Sequence, residues 1–182
     1  MSVLLFDIGA TKVRLALAGV TMPKRIRVFP TPQRWTEAQV VFHQEIKKIS
    51  GGKKITAVIG GTCGTLDLSS LRLKHVPNIP DWSGKPLGAM LAKVTTTKKI
   101  RIENDANLAG LGEAVFGAGK GYHIVAYLGI GTGAGGTRIV DRQLDQAKRG
   151  FRPGHQIIDL NGPLCPRCQS PGHWETYVSG SG

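Results

Sequence analysis

Between Gly154 and Glu175 the chain reads G-H-Q-I-I-D-L-N-G-P-L-C-P-R-C-Q-S-P-G-H-W-E. This places His155, Cys165, Cys168 and His173 in one short polar stretch. Four nitrogen or sulfur ligands are the number a closed tetrahedral zinc site needs. A C-x-x-C pair followed five residues later by His is a metal spacing. If the four meet at one ion, metal bonds fix the loop, because binding and folding are then coupled. The competing reading is an incidental cysteine pair with two surface histidines. The third cysteine, Cys63, lies alone in a Gly-rich segment and reads as a small loop or core residue. Three cysteines, two of them in a metal pattern, argue against a disulfide scaffold and fit a reducing cytoplasm.

At 182 residues, with 41% hydrophobic residues and 25 glycines, the chain is long enough to bury a core and suits an α/β protein with tight loops. No signal peptide is visible, since the apolar start carries Asp7 and Lys12. No run of apolar residues is long enough to span a membrane. The net charge is +12. A basic balance suits nucleic acid or other anions. The positive residues are scattered, however, and no basic helix with interleaved aromatics appears. They read as solvated surface, and a nucleic-acid partner is not expected.

Hydrophobic patterning predicts strands over 3–8, 13–18 and 25–29, the first two forming a hairpin around G-A-T-K. A helix over 35–49 follows, with Thr36 as its N-cap and Val40, Val41, Ile46 and Ile49 as its apolar face. A strand at 55–59 leads into G-G-T-C-G, and 69–83 reads as irregular. A helix over 85–94, a strand over 99–102 and a helix over 106–116 come next. Gly117–Gly121 reads as a linker between domains 1–117 and 118–182. The second half restarts with strand 124–130, a glycine turn and strand 137–140. Strands interleaved with helices predict an α/β fold.

Three segments carry chemistry. D-I-G-A-T-K, Asp7 to Lys12, sets an acid at a strand end before a glycine turn whose N–H groups suit phosphate. Asp7 suits Mg²⁺, and Lys12 suits phosphate oxygens. The hexamer is not a Walker loop. G-I-G-T-G-A-G-G, Gly129 to Gly136, is a second such turn. It has more glycine than a hairpin requires, which suggests phosphates clamped between two domains. E-N-D-A-N, Glu103 to Asn107, gathers acid and amide groups where a strand becomes a helix. An aspartate there can accept a proton from a hydroxyl attacking a phosphoryl group. Helix capping is the alternative, and it is compatible with that role.

With these segments, N-I-P-D-W (Asn78–Trp82), Gly154-His155 and C-P-R-C-Q-S-P-G-H-W-E-T-Y-V-S-G, the chain resembles the ROK family (repressors, open reading frames and sugar kinases). The matches run in family order over nearly the whole chain. The resemblance implies an actin-like, ribonuclease-H-type ATPase fold, two α/β lobes with ATP and sugar in the cleft, and an ATP-dependent hexokinase or glucokinase activity. It implies Asp105 as general base and Asn104, His155 and Glu175 as sugar contacts. Asp7, Gly9, Thr11, Lys12, Gly131, Thr132 and Gly133 would serve phosphate and Mg²⁺. Three departures stand out. Ala10 replaces the second glycine of G-G-T-K. The zinc loop, usually C-x-C-G-x-x-G-C, has one residue added between Cys165 and Cys168 and ends on His173. Arg152 stands where a sugar-binding glutamate is expected, and a cation cannot accept hydrogen bonds from hydroxyls.

The second lobe reads as truncated relative to the family, with the nucleoside pocket largely beyond Gly182. The leading expectation is therefore a cytoplasmic sugar kinase of weak activity with structural Zn²⁺, Mg²⁺ and ATP. A silent sugar- or phosphate-binding protein comes second. A transcription regulator comes third, because the D-I-G motif at residue 7 leaves no room for a helix-turn-helix. An open second lobe would favour a homo-oligomer.

Overall fold

In strand β1 (Ser2–Ile8) every second residue from Leu4 is buried: Leu4, Phe6 and Ile8. Strand β2 (Lys12–Leu17) runs antiparallel to it and sets Leu17, Leu15 and Val13 directly opposite those three. Side chains of a strand alternate between faces, so one face of the hairpin is continuous hydrocarbon. The computed structural model describes residues 2–145 and 151–180. Strand β3 (Lys24–Pro30) adds antiparallel to β2, while β4 (Ile55–Thr62) and β7 (Ile100–Asn104) add parallel on the other side. The sheet order is β3-β2-β1-β4-β7.

Helix α1 (Trp35–Ser50) buries Trp35, Ala38, Phe42, Ile46 and Ile49, a three-and-four spacing that forms one stripe. Val40, expected on that stripe, is 56% exposed. The apolar face is rotated because the aromatics Trp35 and Phe42 fill the core against Trp82. Trp35 and Trp82 meet edge to face at 5.3 Å, and the Trp82 indole donates to the Pro32 carbonyl at 3.0 Å. The expected Thr36 cap is also corrected. Arg34 occupies the cap position without a capping side chain, and Thr36 lies inside the first turn, exposed. The Asp81 carboxylate instead accepts the Trp35 amide at 2.6 Å from far along the chain. Helix α2 (Leu87–Thr95) adds Leu87, Met90 and Leu91 to the same core.

The stretch expected to be irregular contains strand. β5 (Thr65–Asp67) and β6 (Arg72–His75) form a short hairpin, followed by a 3₁₀ turn at Pro80–Trp82. Helix α3 (Asp105–Val115) follows β7 without a loop. The chain divides into two compact units, Met1–Asp105 and Ala106–Gly182. The division thus falls at the head of α3, ahead of Gly117–Gly121.

In the second unit β8 (Ile124–Ile130), β9 (Ala134–Val140) and β10 (Gln143–Leu144) form an antiparallel sheet in the order β10-β9-β8. Residues 151–174 form a loop with little regular structure, followed by the single turn α4 (Glu175–Val178). The bridges Ile157–His173 and Leu164–Pro171 fold the loop on itself. Among the described residues no helix is long and apolar enough to cross a membrane.

Candidate functional site

In the first unit, β1, β4 and β7 are parallel neighbours, and their carboxyl ends lie side by side. Asp7 pairs with Gly61 and Gly61 with Glu103; Ile8 pairs with Thr62 and Thr62 with Asn104. Ligands of α/β sheets gather at such an edge. Asn104 and Asp105 are half-buried there. The Asn104 side-chain amide donates to the Gly64 carbonyl at 3.2 Å, and its backbone N–H donates to Glu103 Oε1 at 2.8 Å. Asp105 is the first residue of α3, at the helix N-terminus. The first glycine turn is closed by the Gly9 amide on the Lys12 carbonyl at 3.0 Å, and Thr31 Oγ1 donates to the Gly9 carbonyl at 2.7 Å. Thr11 and Lys12 are exposed at its tip. Asp7 lies opposite Arg14 across the hairpin and pairs with it at 2.7 Å.

In the second unit, the turn Gly131–Gly133 joins β8 to β9. The Gly131 amide donates to the Gly133 carbonyl at 2.9 Å, and the Gly180 amide to the Gly131 carbonyl at 2.8 Å. Gly131 and Thr132 are exposed. Beside this turn lies the histidine–cysteine cluster. The ligand atoms of His155, Cys165, Cys168 and His173 all lie within 4.8 Å of one another. His155 Nδ1 and His173 Nδ1 are 3.1 Å apart, and Cys168 Sγ is 3.6 and 3.4 Å from them. Zinc bonds of about 2.0 Å to nitrogen and 2.3 Å to sulfur give tetrahedral edges of about 3.3–3.8 Å; the three separations among His155, Cys168 and His173 are close to these and the 4.8 Å limit of the set is about an ångström longer, so this donor set suits the ion. Gly154 makes the approach possible: a Cβ there would lie 2.0 Å from the Ala134 carbonyl oxygen.

At His155 and Cys168 the local environment shifts the side chain toward its ligating form. Burial holds the His155 imidazole below its ordinary value, although Glu175 pulls the other way. The Ser170 backbone amide, by hydrogen bonding, holds the Cys168 thiol below its own. A neutral imidazole and a thiolate are what a metal takes.

Glu175, read from the sequence as a sugar contact, is buried. Its Oε2 accepts the Ala134 amide at 2.8 Å, and its Oε1 faces Arg167 Nε at 3.0 Å and Cys165 Sγ at 3.8 Å. Sequence reasoning missed both partners. Arg167 lies between the two cysteines, a visible place, but no spacing signals which carboxylate it meets.

The ROK sequence model matches residues 3–182. The chain belongs to the ROK family. Within it, the glucokinase of Thermotoga maritima is 37% identical over 138 residues, covering 75% of this chain and 43% of that protein. The xylose repressor of Bacillus subtilis is 44% identical over 82 residues, 44% of this chain and 21% of the repressor. The crystal structure of the Streptomyces griseus ROK glucokinase, in complex with glucose and AMPPNP, superposes with a TM-score of 0.82 at 30% identity. It covers 99% of this chain and 58% of the other. The fold is thus the actin-like ATPase fold of ROK sugar kinases. The chain spans about half the length of the relatives it matches along most of its length.

Proposed function

We propose that this chain carries the catalytic base and sugar-binding residues of an ATP-dependent hexose kinase. The observation that carries the reading is Asn104-Asp105 at the carboxyl edge of three parallel strands, in a chain similar to glucokinases. Asp105 accepts the proton of a sugar hydroxyl as that oxygen bonds the γ-phosphorus of ATP and the bond to the bridging oxygen breaks, releasing ADP. By the family match, Asn104 in the first unit and His155 and Glu175 in the second are the candidate sugar contacts. Gly9, Thr11 and Lys12 in one unit, and Gly131, Thr132 and Gly133 in the other, offer backbone N–H groups, a hydroxyl and a cation to phosphates. Asp7, half-buried at the first turn, supplies the oxygen ligand Mg²⁺ prefers. When bound, Mg²⁺ neutralises charge on the transferring phosphates. His155, Cys165, Cys168 and His173 hold one structural Zn²⁺.

The test is a coupled assay over a panel of hexoses with ATP and Mg²⁺. Hexose-dependent ADP release supports the reading; its absence for every hexose overturns it. The match to the xylose repressor favours a second reading, a sugar-responsive transcription regulator. Saturable hexose binding with no ADP release would select it.

A further inference from the structure

Arg167 stands between two metal-cluster cysteines, in the interval that is one residue longer than the usual ROK spacing. Its Nε lies 3.0 Å from Glu175 Oε1, with side-chain exposures of 25% for Arg167 and 3% for Glu175. A carboxylate so far out of water requires such partners. The other oxygen, Oε2, takes the Ala134 amide, the first residue after the second glycine turn. The turn closes directly over this pair. A Cβ on Gly133 would lie 2.2 Å from Arg167 Nη2 and 2.8 Å from Glu175 Oε2. Glycine at 133 therefore serves the ion pair, whatever it does for phosphate.

We infer that Arg167 is a positioning residue that transmits the state of the metal loop, through Glu175, to the second glycine turn. With Cys165 and Cys168 bound to one ion, the backbone on both sides of Arg167 is anchored and the guanidinium has a fixed origin. The Cys165–Ser170 and Gln169–Cys165 backbone hydrogen bonds close the turn around Arg167; without the ion they hold its backbone without the two cysteine side-chain anchors. Glu175 then loses its charge partner while still buried, its carboxylate reorients, and the Ala134 amide is released. One consequence rests on the proposed function: where Glu175 also contacts the sugar, metal occupancy tunes hexose affinity.

The test needs no sugar. Exchange of the Ala134 amide is followed by NMR in the full chain, zinc-loaded and after chelation, for the wild type and Arg167→Gln. In the wild type, chelation speeds exchange by about tenfold or more. In Arg167→Gln the amide exchanges fast with zinc present, and chelation changes it less than about twofold. Coupling is reciprocal, so Arg167→Gln also weakens zinc binding by a factor similar to the wild-type protection. Should Arg167→Gln fail to fold, Arg167→Lys keeps the charge without the guanidinium geometry and gives an intermediate exchange rate. Equal acceleration on chelation in wild type and variant, or no acceleration in the wild type, overturns the proposal. A failure of hexose turnover would sink the kinase reading and leave this coupling standing.

Discussion

Glu45 and Glu175 are both carboxylates taken largely out of water, and each is met by an arginine. Glu45, on α1, pairs with Lys48 at 2.7 Å and with Arg27 on β3. The Lys48 hydrogen bond holds its carboxyl below the ordinary value of 4.5; burial opposes this and Arg27 reinforces it. A depressed carboxyl contributes stability that is complete above its unfolded-state value and is lost as pH falls through the folded-state value. Melting curves should therefore show Glu45→Gln destabilised by about 1 kcal/mol at pH 7, given the exposed cations. The gap to wild type should close below about pH 4. A gap that persists undiminished into acid would contradict this account. Glu175 differs because its arginine is mostly covered. Denaturant melts of Arg167→Ala should show a loss of about 3 kcal/mol, since a charge is left buried and unpaired.

At the scale of elements, Asp81 ties a distant turn to the α1 N-terminus. Asp81→Ala should lower stability by about 1 kcal/mol in a denaturant melt, while Thr36→Ala should change it by less than about 0.5 kcal/mol. Equal losses would return the cap to Thr36. The metal loop makes a second prediction. Protein purified without added metal should carry about one equivalent of zinc, and Cys165→Ser should lower both zinc content and melting temperature. Less than about a tenth of an equivalent would refute the site.

These joints also show what local sequence can reveal. The β1–β2 hairpin, α1, α2, α3 and the β8–β9 hairpin are legible because alternation or helical spacing persists over several residues. The β5–β6 hairpin is not, because three or four residues cannot establish a period. The Asp81 cap and the Arg167–Glu175 pair were invisible for another reason. Each joins residues brought together only by the folded chain, and such pairs leave no spacing to read. The four metal-cluster residues were legible because ligand chemistry imposes a spacing of its own.

For the whole molecule, each unit repeats one device, a strand hairpin closed by a glycine turn. The first adds an acidic edge of parallel strands and the second a histidine–cysteine loop. The central claim is that this architecture serves phosphoryl transfer with Asp105 as base. The most direct measurement compares hexose-dependent ATP consumption by the chain and by Asp105→Asn, with circular dichroism and melting confirming that both are folded. The account predicts a loss of about 10²-fold or more in turnover with hexose binding retained. Turnover undiminished in a folded Asp105→Asn protein would contradict it.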